Sequence, residues 1–259
     1  MSGKRNAFTL IELLVVIAII ALLMSILMPS LNKARKQARA VACMSNLRQW
    51  SYIWHMYTED SGGKFNTGES TGGAAANDWP VVLLPYYRDR GALTMCPAAT
   101  MLLIEGGRFA LRAWAWDKQG WTNISSKDTP DRGSYGENEW LCYRTGAEYW
   151  RTLTNIKKPD NVPLFFDCAY LDAFPNATTP PPAQEGDYTG YNEWALICMD
   201  RHTGHVNYLF ADMSVRRVGL KELWTFKWNR QFSTTNAWTR IGGVRPEDWP
   251  DWLKPYKDY

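Results

Sequence analysis

Residues 8–28 read FTLIELLVVIAIIALLMSILM, an apolar run broken only by Thr9, Glu12 and Ser25. As a helix this segment is about 31 Å long at 1.5 Å per residue, which matches the roughly 30 Å hydrocarbon layer of a bilayer. A single membrane span is the expectation. A secretory signal peptide has a shorter apolar region and a small-x-small cleavage site, whereas this run passes into Met28-Pro29-Ser30-Leu31 and stays helix-favouring. Glu12 is out of place, because a carboxylate in hydrocarbon costs on the order of 2.5–3.5 kcal/mol. It either snorkels to the interface or pairs with a positive group on a neighbouring subunit.

Beyond Pro29 the chain has no Gly or Pro until Gly62, and Leu31, Ala34, Ala38, Val41, Ala42, Leu47, Trp50, Ile53, Trp54 and Tyr57 recur at near-helical spacing. The helix is therefore expected to continue out of the membrane as a stem, bent or loosened where Pro29 frees the Ser25 carbonyl. Lys33, Arg35, Lys36, Arg39 and Arg48 make this stem basic, whereas residues 59–259 carry 22 basic against 25 acidic residues. The net charge of +3 is too small for nucleic-acid binding through the overall field, and no nucleic-acid partner is expected. With 46% hydrophobic residues the remainder can bury a core, so wholesale disorder is excluded.

A short basic leader, MSGKRNA, followed by FTLIE, a wholly apolar stretch and Pro29 at the twenty-second position from Phe8, resembles the N-terminus of type IV prepilins and type II secretion pseudopilins. The resemblance implies cleavage by a prepilin peptidase between Ala7 and Phe8, N-methylation of Phe8, and Glu12 as the fifth mature residue. Within a filament Glu12 would neutralise the Phe8 ammonium of an adjacent subunit. The family usually has Gly before the cut, where this chain has Ala7. Lys33, Arg35, Lys36 and Arg39 after the span outweigh Lys4, Arg5 and the α-amine before it, opposing pilin topology under the positive-inside rule. The specific processing signal overrides that small difference. The implied partners are the peptidase/methylase, homologous pilin subunits, an inner-membrane assembly platform and membrane lipid.

The rest reads as one α+β head. Turn residues cluster at Glu59-Asp60-Ser61-Gly62-Gly63 and across 68–73, where the stem should end. Strand-like runs follow at 111–116, 162–166, 195–199, 206–211 and 214–218, the last two as a hairpin around Asp212-Met213. Pro180-Pro181-Pro182 cannot join a central strand, and Leu220, Leu223, Trp224 and Trp228 suggest a short amphipathic helix. The expected organisation is a leader (1–7), a transmembrane helix (8–28), a stem helix (29–58) and a head (59–259). The stem packs on an antiparallel sheet with long loops, in a pilin-like fold.

RHTGHVNYLFADMSV, residues 201–215, resembles pilin-like bacterial proteins marked by a His, nine residues, then Asp-Gly. His202 and Asp212 keep that spacing, Gly204, Asn207, Phe210 and Val215 fit, and so do the C-x-x-N-L-R-Q around Cys43 and the Cys96-Pro97 pair. Met213 stands where the family has Gly, so the turn is expected to be strained or longer than two residues. For His202 a structural hydrogen bond tying the hairpin to a loop is expected.

No H-E-x-x-H, paired-Cys or phosphate loop is present, and catalysis is not expected. His202 and His205 with Asp200 and Asp212 would make a metal site only if they converged. Asp187, Glu193 and Asp200 are weak calcium candidates in the late loops; otherwise no cofactor is expected. Loop-borne Trp121, Trp140, Trp249 and Trp252 would suit stacking on sugars, which supports an alternative reading as an envelope-anchored binder of glycans or proteins. Trp more often fills cores. Five cysteines suit an exported head, with Cys43–Cys96 the favoured bridge and Cys142, Cys168 and Cys198 left unassigned, against five buried thiols as the alternative. The leader generates one direct expectation: intact-mass analysis should find N-methyl-Phe8 as the mature N-terminus, and Met1 or a cut after residue 25 would contradict it.

Overall fold

The structure is a computed structural model that describes residues 10–68, 77–87, 93–102, 109–116 and 131–259. It divides into two compact units, Met1–Ala38 and Arg39–Tyr259. Ala7 and Phe8 lie outside the described residues. Helix α1 (Leu10–Asp60) runs through Pro29 and carries Glu12 in its first turn. In the first unit the apolar side chains from Leu10 to Met28 are exposed, and the helix is long and apolar enough to cross a membrane.

Within the second unit, α1 buries Cys43, Leu47, Trp50, Trp54 and Thr58, spaced three or four residues apart and so on one face. The helix stops because Gly62 and Gly63 take positive φ values of 61° and 78°. Gly63 N–H then reaches Thr58 O and Gly62 N–H reaches Glu59 O, satisfying carbonyls the last turn would otherwise leave open.

After α2 (Trp79–Val82) come β1 (Met101–Leu102), β2 (Arg112–Trp116) and β3 (Asp131–Gly133), which form a small sheet in the order β1-β2-β3. The main sheet uses β4 (Tyr135–Asn138), β5 (Pro163–Asp167), β6 (Asp172–Ala173), β7 (His205–Phe210) and β8 (Val215–Gly219) in the order β6-β4-β5-β7-β8. All its pairings are antiparallel except β4 with β6. The expected α+β arrangement, a long N-terminal helix packed on an antiparallel sheet with long loops, is what the chain adopts.

β5 shows how the sheet separates two cores. Side chains alternate along a strand, so Phe165 meets Trp50 of α1 at 5.0 Å and Trp79 at 4.8 Å, while Phe166 stacks on Tyr208 at 4.7 Å and meets Trp228 at 5.4 Å. Behind Phe166, Trp194 stacks on Trp224 at 4.2 Å. Leu220, Leu223, Trp224 and Trp228 are all buried, and the first three sit on a 3-10 segment, Leu220–Thr225, in place of the expected amphipathic helix.

Two local expectations change. The run 195–199 has the composition of a strand but begins within the helical turn α3 (Trp194–Ile197), whose four residues are all buried. A short run that is apolar on every face carries no periodicity to separate strand from helix, and the Asn192 side chain accepting from Trp194 N–H favours the turn. The hairpin forms, but its loop runs from Ala211 to Ser214. Met213 N–H bonds Phe210 O, Phe210 N–H bonds Ser214 O, and Met213 sits at φ 66°. The loop is longer than two residues and still places a non-glycine residue in the left-handed region, which costs roughly 1–2 kcal/mol. Met213→Gly is expected to be more stable than Met213→Ala by about 1 kcal/mol in denaturant unfolding, because both lose the side chain and only alanine keeps the strain.

Candidate functional site

Four elements of the second unit bring polar side chains into one buried cluster. Cys43 comes from α1, one helical turn before Leu47. Asp167 ends β5, two residues beyond Phe165 and so on the same, helix-facing side. Cys96 opens the Cys96-Pro97-Ala98-Ala99 turn, closed by Ala99 N–H to Cys96 O at 2.9 Å. His202 lies in the turn before β7, where Thr203 and Gly204 take positive φ values of 59° and 80° and Gly204 N–H bonds the Asp200 carboxylate. A Cβ at Gly204 would come within 2.9 Å of the Tyr256 ring, so both backbone and space call for glycine there.

The donor atoms of Cys43, Cys96, Asp167 and His202 all lie within 4.8 Å of one another, and all four residues are buried. Asp167 is the hub. Its Oδ2 is 3.1 Å from His202 Nε2 and accepts Asn207 N–H at 2.8 Å. Its Oδ1 is 3.3 Å from Arg201 Nη1 and 3.4 Å from Cys43 Sγ. Cys96 Sγ is 3.4 Å from His202 Nε2 and accepts Ala98 N–H at 3.4 Å, and Tyr135 O–H donates to Cys43 Sγ at 3.3 Å. Arg201 is buried too; it donates to Ala110 O at 2.9 Å, Ser134 O at 2.7 Å and Arg112 O at 2.8 Å, so its charge is enclosed by carbonyls as well as by Asp167. His202 Nδ1 is buried without a hydrogen-bond partner among the described residues.

The electrostatics follow from that packing. Burial alone would raise the Asp167 carboxyl, but His202 and Arg201 hold it well below the usual carboxylate range. Burial lowers His202, yet Asp167 more than offsets this and lifts it to about 9. Burial raises the Cys96 thiol, but hydrogen bonds from Cys43 and His202 and the Arg201 charge bring it down to about 7. Cys43 stays well above a normal thiol, chiefly through burial.

Cys43 and Cys96, expected as a bridge, are indeed neighbours, but both are free thiols, as are Cys142, Cys168 and Cys198. His202 ties its turn to β5 and to Cys96. Asn207 ties β7 to α1, its side chain donating to Ala40 O at 3.2 Å, and the Asp212 side chain serves the hairpin turn, accepting Ser214 N–H at 2.9 Å, while its backbone N–H bonds Pro159 O at 3.2 Å. His205 turns to Thr203 O at 3.0 Å and Arg217 at 2.9 Å, so it does not join His202. Asp187 bonds Thr189, Glu193 accepts from Tyr188 and Phe174, and Asp200 accepts from Gly204; none of them belongs to the cluster.

Trp249 is buried, Trp140 and Trp252 are partly buried with their ring N–H groups on Pro175 O and Pro182 O, and Trp121 is outside the described residues. Sequence reasoning missed Asp167, Arg201 and Tyr135. The signal for the first was a lone carboxylate closing the apolar run Val162-Pro163-Leu164-Phe165-Phe166.

A family profile described as the prokaryotic N-terminal methylation motif matches residues 2–28. The start of the chain is thus a prepilin-type methylation motif joined to a long apolar helix, consistent with a type IV pilin-like protein. No curated protein matches the chain, and no solved structure does. The buried cluster yields its own expectation. Arg201→Met strands the Asp167 carboxylate and should lower stability by about 3–5 kcal/mol in urea unfolding followed by Trp fluorescence. Exposed Arg217→Met should cost less than about 1 kcal/mol.

Proposed function

We propose that the chain is a structural subunit of a type IV pilus-like or type II secretion pseudopilus filament, processed by a prepilin peptidase and N-methylated at Phe8. The observation that carries this reading is the methylation motif at residues 2–28, with Glu12 as the fifth residue after the cut. The apolar side chains of α1 from Leu10 to Met28 are exposed and need lipid or neighbouring helices to cover them. Before assembly, lipid covers them and anchors the subunit in the inner membrane with its head on the periplasmic side. After assembly, the helices of adjacent subunits cover them, and Glu12 pairs with a neighbour's Phe8 ammonium. Pro29 loosens the helix for that packing. The partners are the peptidase/methylase, like subunits and an inner-membrane assembly platform. Against the glycan-binding alternative, Trp249 is buried and Trp140 and Trp252 bond their ring N–H groups inside the fold, while Trp121 lies outside the described residues.

Glu12→Ala tests the pairing because its two effects have opposite signs. Removing the carboxylate deletes an insertion penalty of on the order of 2.5–3.5 kcal/mol for the monomer. In the filament it leaves the Phe8 ammonium unpaired at low dielectric, where breaking a buried pair costs about 3–5 kcal/mol. Membrane insertion should be unchanged or improved while the cross-linked ladder from envelope fractions disappears. Wild-type ladders from Glu12→Ala and Glu12→Gln alike would refute the pairing.

A further inference from the structure

We infer that Cys43, Cys96, Asp167 and His202 form a closed, structural Zn2+ site that ties α1 to the main sheet. The inference stands apart from the filament reading, since it concerns only how the second unit is held together. A tetrahedral zinc with bonds of about 2.0 Å to N and O and 2.3 Å to S sets its ligand atoms about 3.3–3.8 Å apart. With Asp167 Oδ2 as the carboxylate ligand, the three contacts measured between different ligand types, His202 Nε2 to Oδ2 at 3.1 Å, Cys43 Sγ to Oδ2 at 3.7 Å and Cys96 Sγ to His202 Nε2 at 3.4 Å, lie within a few tenths of an ångström of those edges. All four donors fall within 4.8 Å of one another. Small side-chain shifts close the tetrahedron.

The donor set selects the ion. Two thiolates with one imidazole and one carboxylate are soft enough to reject Ca2+ and Mg2+ and suit Zn2+. All four residues are buried, which fits a closed structural centre better than an open catalytic one. The surroundings are those of ligands as well. Ala98 N–H and Tyr135 O–H point at the two sulfurs, and Asn207 N–H and Arg201 hold the carboxylate. Two thiolates and one carboxylate around a dication leave a single negative charge, which the buried Arg201 guanidinium neutralises.

The centre would join segments far apart in the chain: Cys43 and Asp167 are separated by 124 positions, Cys96 and His202 by 106. Binding displaces the protons of the two thiols and of His202 Nε2 to solvent, so that the metal meets two thiolates and a neutral imidazole, with no change of oxidation state.

The test uses the full chain, purified in detergent under reducing conditions, stripped with chelator and titrated with Zn2+ alone. Elemental analysis should find one Zn2+ per chain, and chelator should lower the thermal midpoint. Loading with Co2+ should produce a thiolate-to-metal charge-transfer band in the near ultraviolet. Cys96→Ser should weaken binding at least about tenfold, while Cys142→Ser, at a buried thiol outside the cluster, should bind like wild type. His202→Cys should retain the metal and strengthen the charge-transfer band, a rescue that a hydrogen-bonding histidine would not show. Should Cys96→Ser fail to fold, the wild-type cobalt spectrum and His202→Cys decide the matter. Absence of stoichiometric Zn2+ and of the thiolate band in the wild-type chain overturns the site. A Cys43–Cys96 disulfide in freshly isolated protein overturns it equally, and stoichiometric iron or copper overturns the zinc assignment.

Discussion

The buried carboxylate of Asp167 is the constraint on which the second unit depends. An ionised group without solvent must be met on every side, and here the partners come from different parts of the chain: Arg201 and His202 from one turn, the Asn207 amide from β7 and Cys43 from α1. Each partner has one position along its own element from which it can reach. Asp167 therefore sets the register of α1 against β5 and holds the turn before β7, a specificity that apolar packing alone supplies less sharply.

Around this hub the sheet divides an unusually aromatic interior. On the α1 side Trp50 packs against Trp79, Tyr87 and Phe165; on the other side Phe166, Tyr208, Trp194, Trp224 and Trp228 interlock. Large rigid rings let a head with short strands and long loops bury enough apolar surface to fold. Several of their N–H groups are used as well, since Trp79 donates to Leu171 O at 2.8 Å and Trp114 to Tyr135 O at 2.9 Å, pinning loop backbone to the core. The buried tryptophans serve the architecture.

The H-T-G-H-V-N stretch gains a physical reading from the same hub. Gly204 permits the left-handed turn, His202 is carried by that turn to Asp167, and Asn207 fastens the following strand to both Asp167 and the Ala40 carbonyl. Asp212 acts ten positions on from His202 but at the far end of β7, where it shapes the hairpin loop. The fixed spacing between His202 and Asp212 is the length of a strand and its two turns.

What the sequence by itself determined was governed by local order along the chain: the apolar span, the processing signal, the long N-terminal helix and the final hairpin. Those features rest on periodicity, caps and turns, which neighbouring residues settle among themselves. It misread 195–199, where a run apolar on all faces carries no period, and His205, which it weighed as a metal partner of His202, faces elsewhere. Only the tertiary structure decided the cluster of Cys43, Cys96, Asp167, Arg201 and His202. Its members lie on a helix, a loop, a strand and a turn, and nothing in their spacing encodes the packing that brings them together. What a buried charge demands is a set of partners in space, and that set exists only once the helix has docked on the sheet.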